Sequence, residues 1–354
     1  MTARDGTEAR EVTAGAALWG LLILAAALRL SIGTSGPGWP SGEGGAAVLA
    51  LRADRLAVAV IVGAALAVAG VALQALLRNA LAEPFILGLS TGAAAGMVGQ
   101  RLIASALGFA LGVGYGGAAV GAGVSMAVVY LVSRRRGVLD PLGLLLTGVV
   151  LSTINGALIM LAIHFRPDLL RVEMSQWMMG FLGDDAGGIG SWLLSLFGGQ
   201  TEGMPVPWRL LVIALVTLIG LAWLSMRARA MDVATLSPGE AEALGVDLRR
   251  LRGLLFAVAS GLAASAVVLA GPIAFVGLVC PHVARLMFGA RHRALLWASA
   301  LLGSTLVVFA DTAGAWLAWR LGVGIVPLGV FTALVGGVAF LWMLRPHLGR
   351  GLES

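Results

Sequence analysis

No lysine occurs anywhere in the 354 residues, so the formal charge of +6 is carried by 24 arginines against 18 acids. A Walker A loop needs its lysine on the β- and γ-phosphates, so this chain cannot hydrolyse ATP by that route, and lysine Schiff-base chemistry is equally excluded. Cysteine is nearly absent. Cys280 stands alone in the apolar run GLVCPH, which rules out an intrachain disulfide or a thiolate cluster and reads as a small buried hydrophobe. Charge is scarce, at 12% against about 25% in soluble domains, while 59% of the residues are hydrophobic. No long polar block separates the apolar runs, which predicts a single integral-membrane domain over 1–354 and no large soluble domain.

The N-terminal MTARDGTEAREVTAG mixes acids with arginines, and no clear small-residue cleavage site follows the apolar run after it. This predicts a cytoplasmic tail over 1–13 and a retained first span. Apolar runs near 14–32, 56–76, 85–104, 107–132, 141–163, 208–226, 253–270, 273–288, 294–314 and 326–344 approach the roughly 20 residues a span needs. The expected fold is all-α and polytopic, with about ten transmembrane helices. Pro281 punctuates the short run 273–288 and predicts a broken helix or half-span. In the connection 164–207, Trp177, Met178, Met179 and the run SWLLSLF predict short interfacial helices.

With both termini inside, sixteen of the 24 arginines fall on the cytoplasmic side, among them Arg78, the run Arg134 to Arg136, Arg249 and Arg250. Arg29, Arg52, Arg55 and Arg320 are among the eight left outside. Glycine is abundant, at 51 residues, and small-xxx-small steps such as Gly88, Gly92 and Gly96 or Gly117 and Gly121 predict closely packed helices.

Several features invite chemistry. GLSTG, Gly88 to Gly92, matches a nucleophile elbow, but an elbow needs a strand before it and histidine and acid partners, so helix packing is the preferred reading. The four histidines have no H-x-x-x-H or H-E-x-x-H spacing, which disfavours a metal site. His282 and Arg285 share one helix face near an interior end, where ordering of a helix terminus is the plain reading. Asp311 lies in the apolar run STLVVFADTAGAW, where an ion or proton site competes with a helix-end hydrogen bond or a pair with Arg320. In MDVATLSPGEAEALGVDLRRLR, Ser237, Pro238 and Glu240 supply an N-cap, an N1 proline and a capping-box acid, and Gly245 a stop. The helix is too short to stand alone in water, and its Ala241, Ala243 and Leu244 suit either a cytoplasmic partner or packing on its own bundle.

Four ordered stretches, 51–96, QWMMGFLGD (176–184), LSPGEAEALGV (236–246) and 270–296, resemble the FecCD/vitamin-B12 type permease subunits of ATP-binding-cassette importers for iron–siderophore, haem and cobalamin. A fifth, 326–344, is similar but looser. The motif residues are Gln74, Asn79, Glu83, Pro84, Gly88, Gly92, Trp177, Gly180, Gly271, Pro272, Gly277, Pro281, His282, Arg285 and Asp311. The resemblance implies a type II importer permease fold in the bacterial cytoplasmic (inner) membrane, paired with a second copy or paralogue. It further implies two separate ABC ATPase subunits that carry ATP–Mg, and a periplasmic or lipid-anchored binding protein. It implies no catalytic, cofactor or metal site in this chain and no nucleic-acid partner.

In that family the segment matching Ser237, Pro238, Gly239, Glu240, Ala241, Leu244 and Gly245 docks on the ATPase, within a coupling segment over 231–251. Arg52 and Arg55 match docking arginines for the binding protein, although Asp54 stands where the family has proline. A third docking position is Ala315 here, and Arg320 is its expected stand-in. Ala80 replaces the proline of the family's N-P-L-A-(D/E)-P, and Asp140, Pro141 and Leu142 stand where a related gate carries serine or threonine, so no gate residue transfers. An ion-coupled secondary transporter, suggested by Asp311 and the interrupted helices, is the main alternative; an intramembrane enzyme using Ser90 is the other.

Overall fold

The computed structural model describes residues 2–42, 44–108, 115–135, 137–182, 208–324 and 326–348. The chain forms helices α1 (Thr2–Ser31), α2 (Gly45–Leu77), α3 (Leu89–Ala106), α4 (Tyr115–Val132), α5 (Pro141–Phe165) and α6 (Pro167–Met178). It continues with α7 (Trp208–Val233), α8 (Pro238–Ala243), α9 (Leu248–Ala270), α10 (Val276–Phe288), α11 (His292–Leu321) and α12 (Leu328–Leu348). Two short antiparallel ribbons, Ile32–Gly33 with Gly36–Pro37 and Arg134–Arg135 with Val138–Leu139, close the α1–α2 and α4–α5 connections. Among the described residues, seven helices are long and apolar enough to cross a membrane. α3, α10 and α12 fall on the remaining expected spans. The expected interfacial run at 191–197 lies outside the described residues.

α2 is the central element. It is buried over most of its length and packs against α9, α10 and α11. It begins at Gly45, eleven residues before the expected boundary, because Arg52, Asp54 and Arg55 are buried inside the protein and do not end the helix. A hydropathy window stops at such charges; a helix whose charges find partners does not.

The expected glycine steps hold. A Cβ at Gly96 would overlap the Gly117 carbonyl, and one at Gly121 would overlap that of Gly92, so α3 and α4 meet backbone to backbone. In a bilayer, where apolar burial gives helices no net drive to associate, such contact contributes through dispersion. By contrast, α5 and α12 leave many apolar side chains exposed, among them Leu146, Leu158, Leu334 and Trp342. Those faces meet lipid or another chain.

Candidate coupling surface and interrupted-helix core

The segment between α7 and α9 is built as its sequence predicts. Ser237 has extended backbone and N-caps α8; the Ser237 N–H donates to Glu240 Oε2 at 3.0 Å, and the Glu240 N–H to Ser237 Oγ at 3.4 Å. The Ser237 hydroxyl adds a 2.7 Å bond to the same carboxylate, and these bonds hold the exposed Glu240 carboxyl below its ordinary pKa. Gly245 turns the chain out of the helix at φ 79°, and Asp247 caps α9 by accepting from the Arg250 N–H at 3.0 Å.

The apolar residues in and around α8 differ in burial. Ala241 is fully buried against the bundle, whereas Leu244 is 62% exposed and Leu236 41%. A residue packed on the bundle and exposed apolar residues are therefore both present in this short segment. The segment is also tied to the spans. Arg78, at the end of α2, donates to the Leu236 carbonyl at 2.7 Å. Asp232, near the end of α7, accepts from the His292 backbone N–H at 2.9 Å and lies 2.6 Å from His292 Nδ1, fixing the start of α11. The segment carrying α8 is thus held at its flank: α2 reaches Leu236 directly, and α7, which leads into the segment, is bonded to the start of α11.

A second group of motif residues converges where α9 breaks. Between α9 and α10 the chain runs without helix from Gly271 to Phe275, and Phe275 adopts φ 69°. The Phe275 N–H, at the N-terminus of α10, donates to the Glu83 carboxylate, where an acid also meets the positive end of the helix dipole. Pro84 lies beside Gly277, and Gly277 approaches Gly70 so closely that a Cβ at Gly70 would overlap its carbonyl. Gln74 Nε2 donates to the Gly277 carbonyl at 3.3 Å and Gln74 Oε1 accepts from Arg285 at 3.4 Å.

In sequence, Arg78, Asn79, Glu83 and Pro84 read together as an inner turn between the second and third spans. Only the start of that connection, at Arg78 and Asn79, lies there. The chain then climbs back to the level of Gly70, about 10 Å above the end of α2 at 1.5 Å per residue. Arg285 reaches Gln74, and so serves the core more than its own helix end.

Trp177 is buried, at 9%, and so is not the interfacial anchor its residue type suggested. It belongs to a third backbone junction. The Phe181 N–H donates to the Ala270 carbonyl at 3.0 Å, and the Leu328 N–H to the Gly180 carbonyl at 2.9 Å. Gly180 has φ 71°, and a Cβ there would stand 2.5 Å from the Pro272 carbonyl oxygen. Gly180 and the Gly271–Pro272 pair, far apart in sequence, form one contact joining α6, α9 and α12.

At the opposite end from α8, Asp311 binds two arginines, Arg29 through Nε and Arg55 through Nη2 at 2.8 Å. This corrects the expected pair with Arg320, which is exposed at the end of α11. Arg55 also lies 5.5 Å from the Phe181 ring centroid. Arg52 donates to the Leu30 and Gly38 carbonyls at 2.7 and 2.9 Å. Arg52 and Arg55 therefore point inward, 6% and 9% exposed, and of the three expected docking arginines only Arg320 stands on the surface. Arg29 was missed because its partner is 282 residues away. Its signal was its place in an apolar run, where a charge requires a partner.

The segment before Ser90 is a 3-10 turn, Pro84–Leu87, and not a strand, so the elbow geometry is not formed.

The FecCD transport family profile matches residues 18–346. The chain is 37% identical over 298 residues to the vitamin B12 import system permease protein BtuC of Vibrio cholerae, covering 84% of this chain and 82% of that one. It is 36% identical over 303 residues to the cobalamin import system permease protein BtuC of Halobacterium salinarum, covering 85% and 74%. A solved structure described as an inward-facing metal-chelate type ABC transporter superposes with a TM-score of 0.77 at 27% identity, covering 94% of this chain and 99% of that one. This multi-pass membrane protein belongs to the FecCD transport family.

Proposed function

We propose that the chain is the membrane-spanning permease subunit of an ATP-binding-cassette importer, moving an iron–siderophore, haem or corrinoid inward by alternating access. The observation that carries this reading is α8, a capped helix followed by the exposed Leu244, with flanks hydrogen-bonded to α2 and, through α7, to α11. A cytoplasmic ATPase that closes on ATP would push on the exposed side; the Arg78–Leu236 and Asp232–His292 contacts would convey the push to α2 and α11. The absence of lysine, and so of a Walker A loop, supports a motor on another chain. A second permease copy would cover part of the exposed apolar faces of α5 and α12, with the cargo path between the two copies.

The protein resides, on this reading, in the bacterial cytoplasmic membrane with both termini inside. A binding protein delivers cargo at the end marked by Arg320. That arginine contributes orientation and on-rate through complementary charge, as interface-rim charges do. Cargo choice rests mainly with the binding protein, and the vitamin B12 relatives favour a corrinoid or similar chelate. The test is co-purification. The cognate ATPase should be retained by the wild-type permease and released by Leu244→Asp, while Gly261→Ala, in open space within α9, leaves it bound. Retention by Leu244→Asp would remove α8 from the interface.

A further inference from the structure

We propose that the crevice between α4 and α9, at the end nearest α8, binds one anionic glycerophospholipid, with its phosphate on Arg134 and Arg249 and an acyl chain along the cavity behind them. The crevice encloses about 700 Å³ and has two chemically distinct parts. Its rim carries Arg134, Arg249 and Arg250. Arg250 is engaged by Asp247 at 3.1 Å, whereas among the described residues neither Arg134 nor Arg249 forms an ion pair. Arg134 instead rests 6.0 Å from the Tyr130 ring centroid. Arg249 lies over the turn of the 134–139 ribbon, where a Cβ on Gly137 would stand 2.5 Å from its Nη2. Gly137, with φ 83°, thus leaves Arg249 the space it occupies.

Behind the rim the walls are apolar. Gly123, Met126 and Ala127 of α4 face Gly253, Leu254 and Ala257 of α9, and the neighbouring Tyr130 and Phe256 rings, 5.8 Å apart, complete the wall. At 1.5 Å per residue, the slot runs about 12–14 Å from the rim toward the middle of both helices. The neighbouring face of α4 exposes Val120, Val124 and Leu131. A lipid presents this same division, charge at the headgroup level and hydrocarbon beneath. Basic pockets between spans suit anionic headgroups, each arginine near the surface contributing about 1 kcal/mol. An acidic protein surface would satisfy the arginines but leave the apolar slot unfilled. The site does not depend on which cargo the permease carries.

The experiment is native mass spectrometry of the purified full-length permease in detergent, titrated with phosphatidylglycerol, phosphatidylcholine or glycerol 3-phosphate. Wild type should retain one phosphatidylglycerol in preference to phosphatidylcholine, and glycerol 3-phosphate should not displace it. Arg134→Gln with Arg249→Gln should weaken phosphatidylglycerol binding about thirtyfold at low salt. Gly253→Leu, whose site has open space around it, fills the slot while keeping both arginines and should weaken binding about tenfold. Equal retention of the two lipids, or unchanged affinity in both variants, would overturn the assignment. Displacement by glycerol 3-phosphate would make this a free-anion site. Intact lipid binding with loss of ATPase co-purification in the arginine variant would make it a protein contact.

Discussion

Replacing Asp311 with alanine removes the carboxylate that Arg29 and Arg55 share, deep between α1, α2 and α11. The Arg29 and Asp311 side chains are 3% and 4% exposed, so water cannot replace the lost partner without entering the bundle. Breaking a buried pair by deleting one member costs about 3–5 kcal/mol, because the remaining charge stays desolvated. Here two guanidinium groups lose the same anion, which puts the expected loss in the upper half of that range, roughly a thousandfold in the folded-to-unfolded ratio. Asp311→Asn keeps an acceptor oxygen and should lose about 2–3 kcal/mol, the value of charge-assisted hydrogen bonds. Adding Arg29→Met to Asp311→Ala should restore at least ~1 kcal/mol by removing one stranded cation. Chemical unfolding in detergent, followed by circular dichroism, measures all three. A loss below about 1 kcal/mol for Asp311→Ala, with no rescue by Arg29→Met, would refute the buried-triad argument. An Asp311→Asn protein as stable as wild type but dead in transport would instead make the carboxylate an ion site.

Gly180→Ala should destabilise by about 2–4 kcal/mol, combining the left-handed backbone with overlap on the Pro272 carbonyl. Gly261→Ala, with open space around it, should be neutral or slightly stabilising; equal losses in the two variants would dissolve the junction argument. The Glu240 carboxyl titrates below its unfolded value, so its contribution to the α8 cap is fully present above the ordinary glutamate pKa and is lost as pH falls through the depressed one. Carbon-13 NMR of that carboxyl should show an upward shift in Ser237→Ala, and an unmoved midpoint would deny the capping box its role. Leu244→Ala should reduce transport-coupled ATP hydrolysis severalfold with assembly of the permease fold intact, as read by ATPase assay in proteoliposomes.

The sequence made the local devices readable because they depend on neighbours. Ser237, Pro238 and Glu240 lie within four residues, and the α3–α4 glycine steps repeat at helical spacing, so both appear in the structure as expected. Long-range pairing was not readable in the same way. Hydropathy alone says that Arg29, Arg52, Arg55 and Asp311 need partners, but which charge meets which is decided by the packing of α1, α2 and α11. The re-entrant course of Glu83 and Pro84 also escaped detection, since a polar break between apolar runs reads identically as a surface turn or as a chain climbing back beside α10. Trp177 was misjudged because residue type favours the membrane interface, while the backbone junction at Gly180 and Gly271 draws it inside.

The central claim is that an external ATPase, acting through α8, drives import. Its most direct test is cargo uptake into proteoliposomes holding the permease with its ATPase, supplied with loaded binding protein, and compared with and without ATP and with ion gradients collapsed by ionophores. Uptake should require ATP and persist after the gradients are gone. Uptake that continues without ATP and stops when the gradients collapse would contradict it.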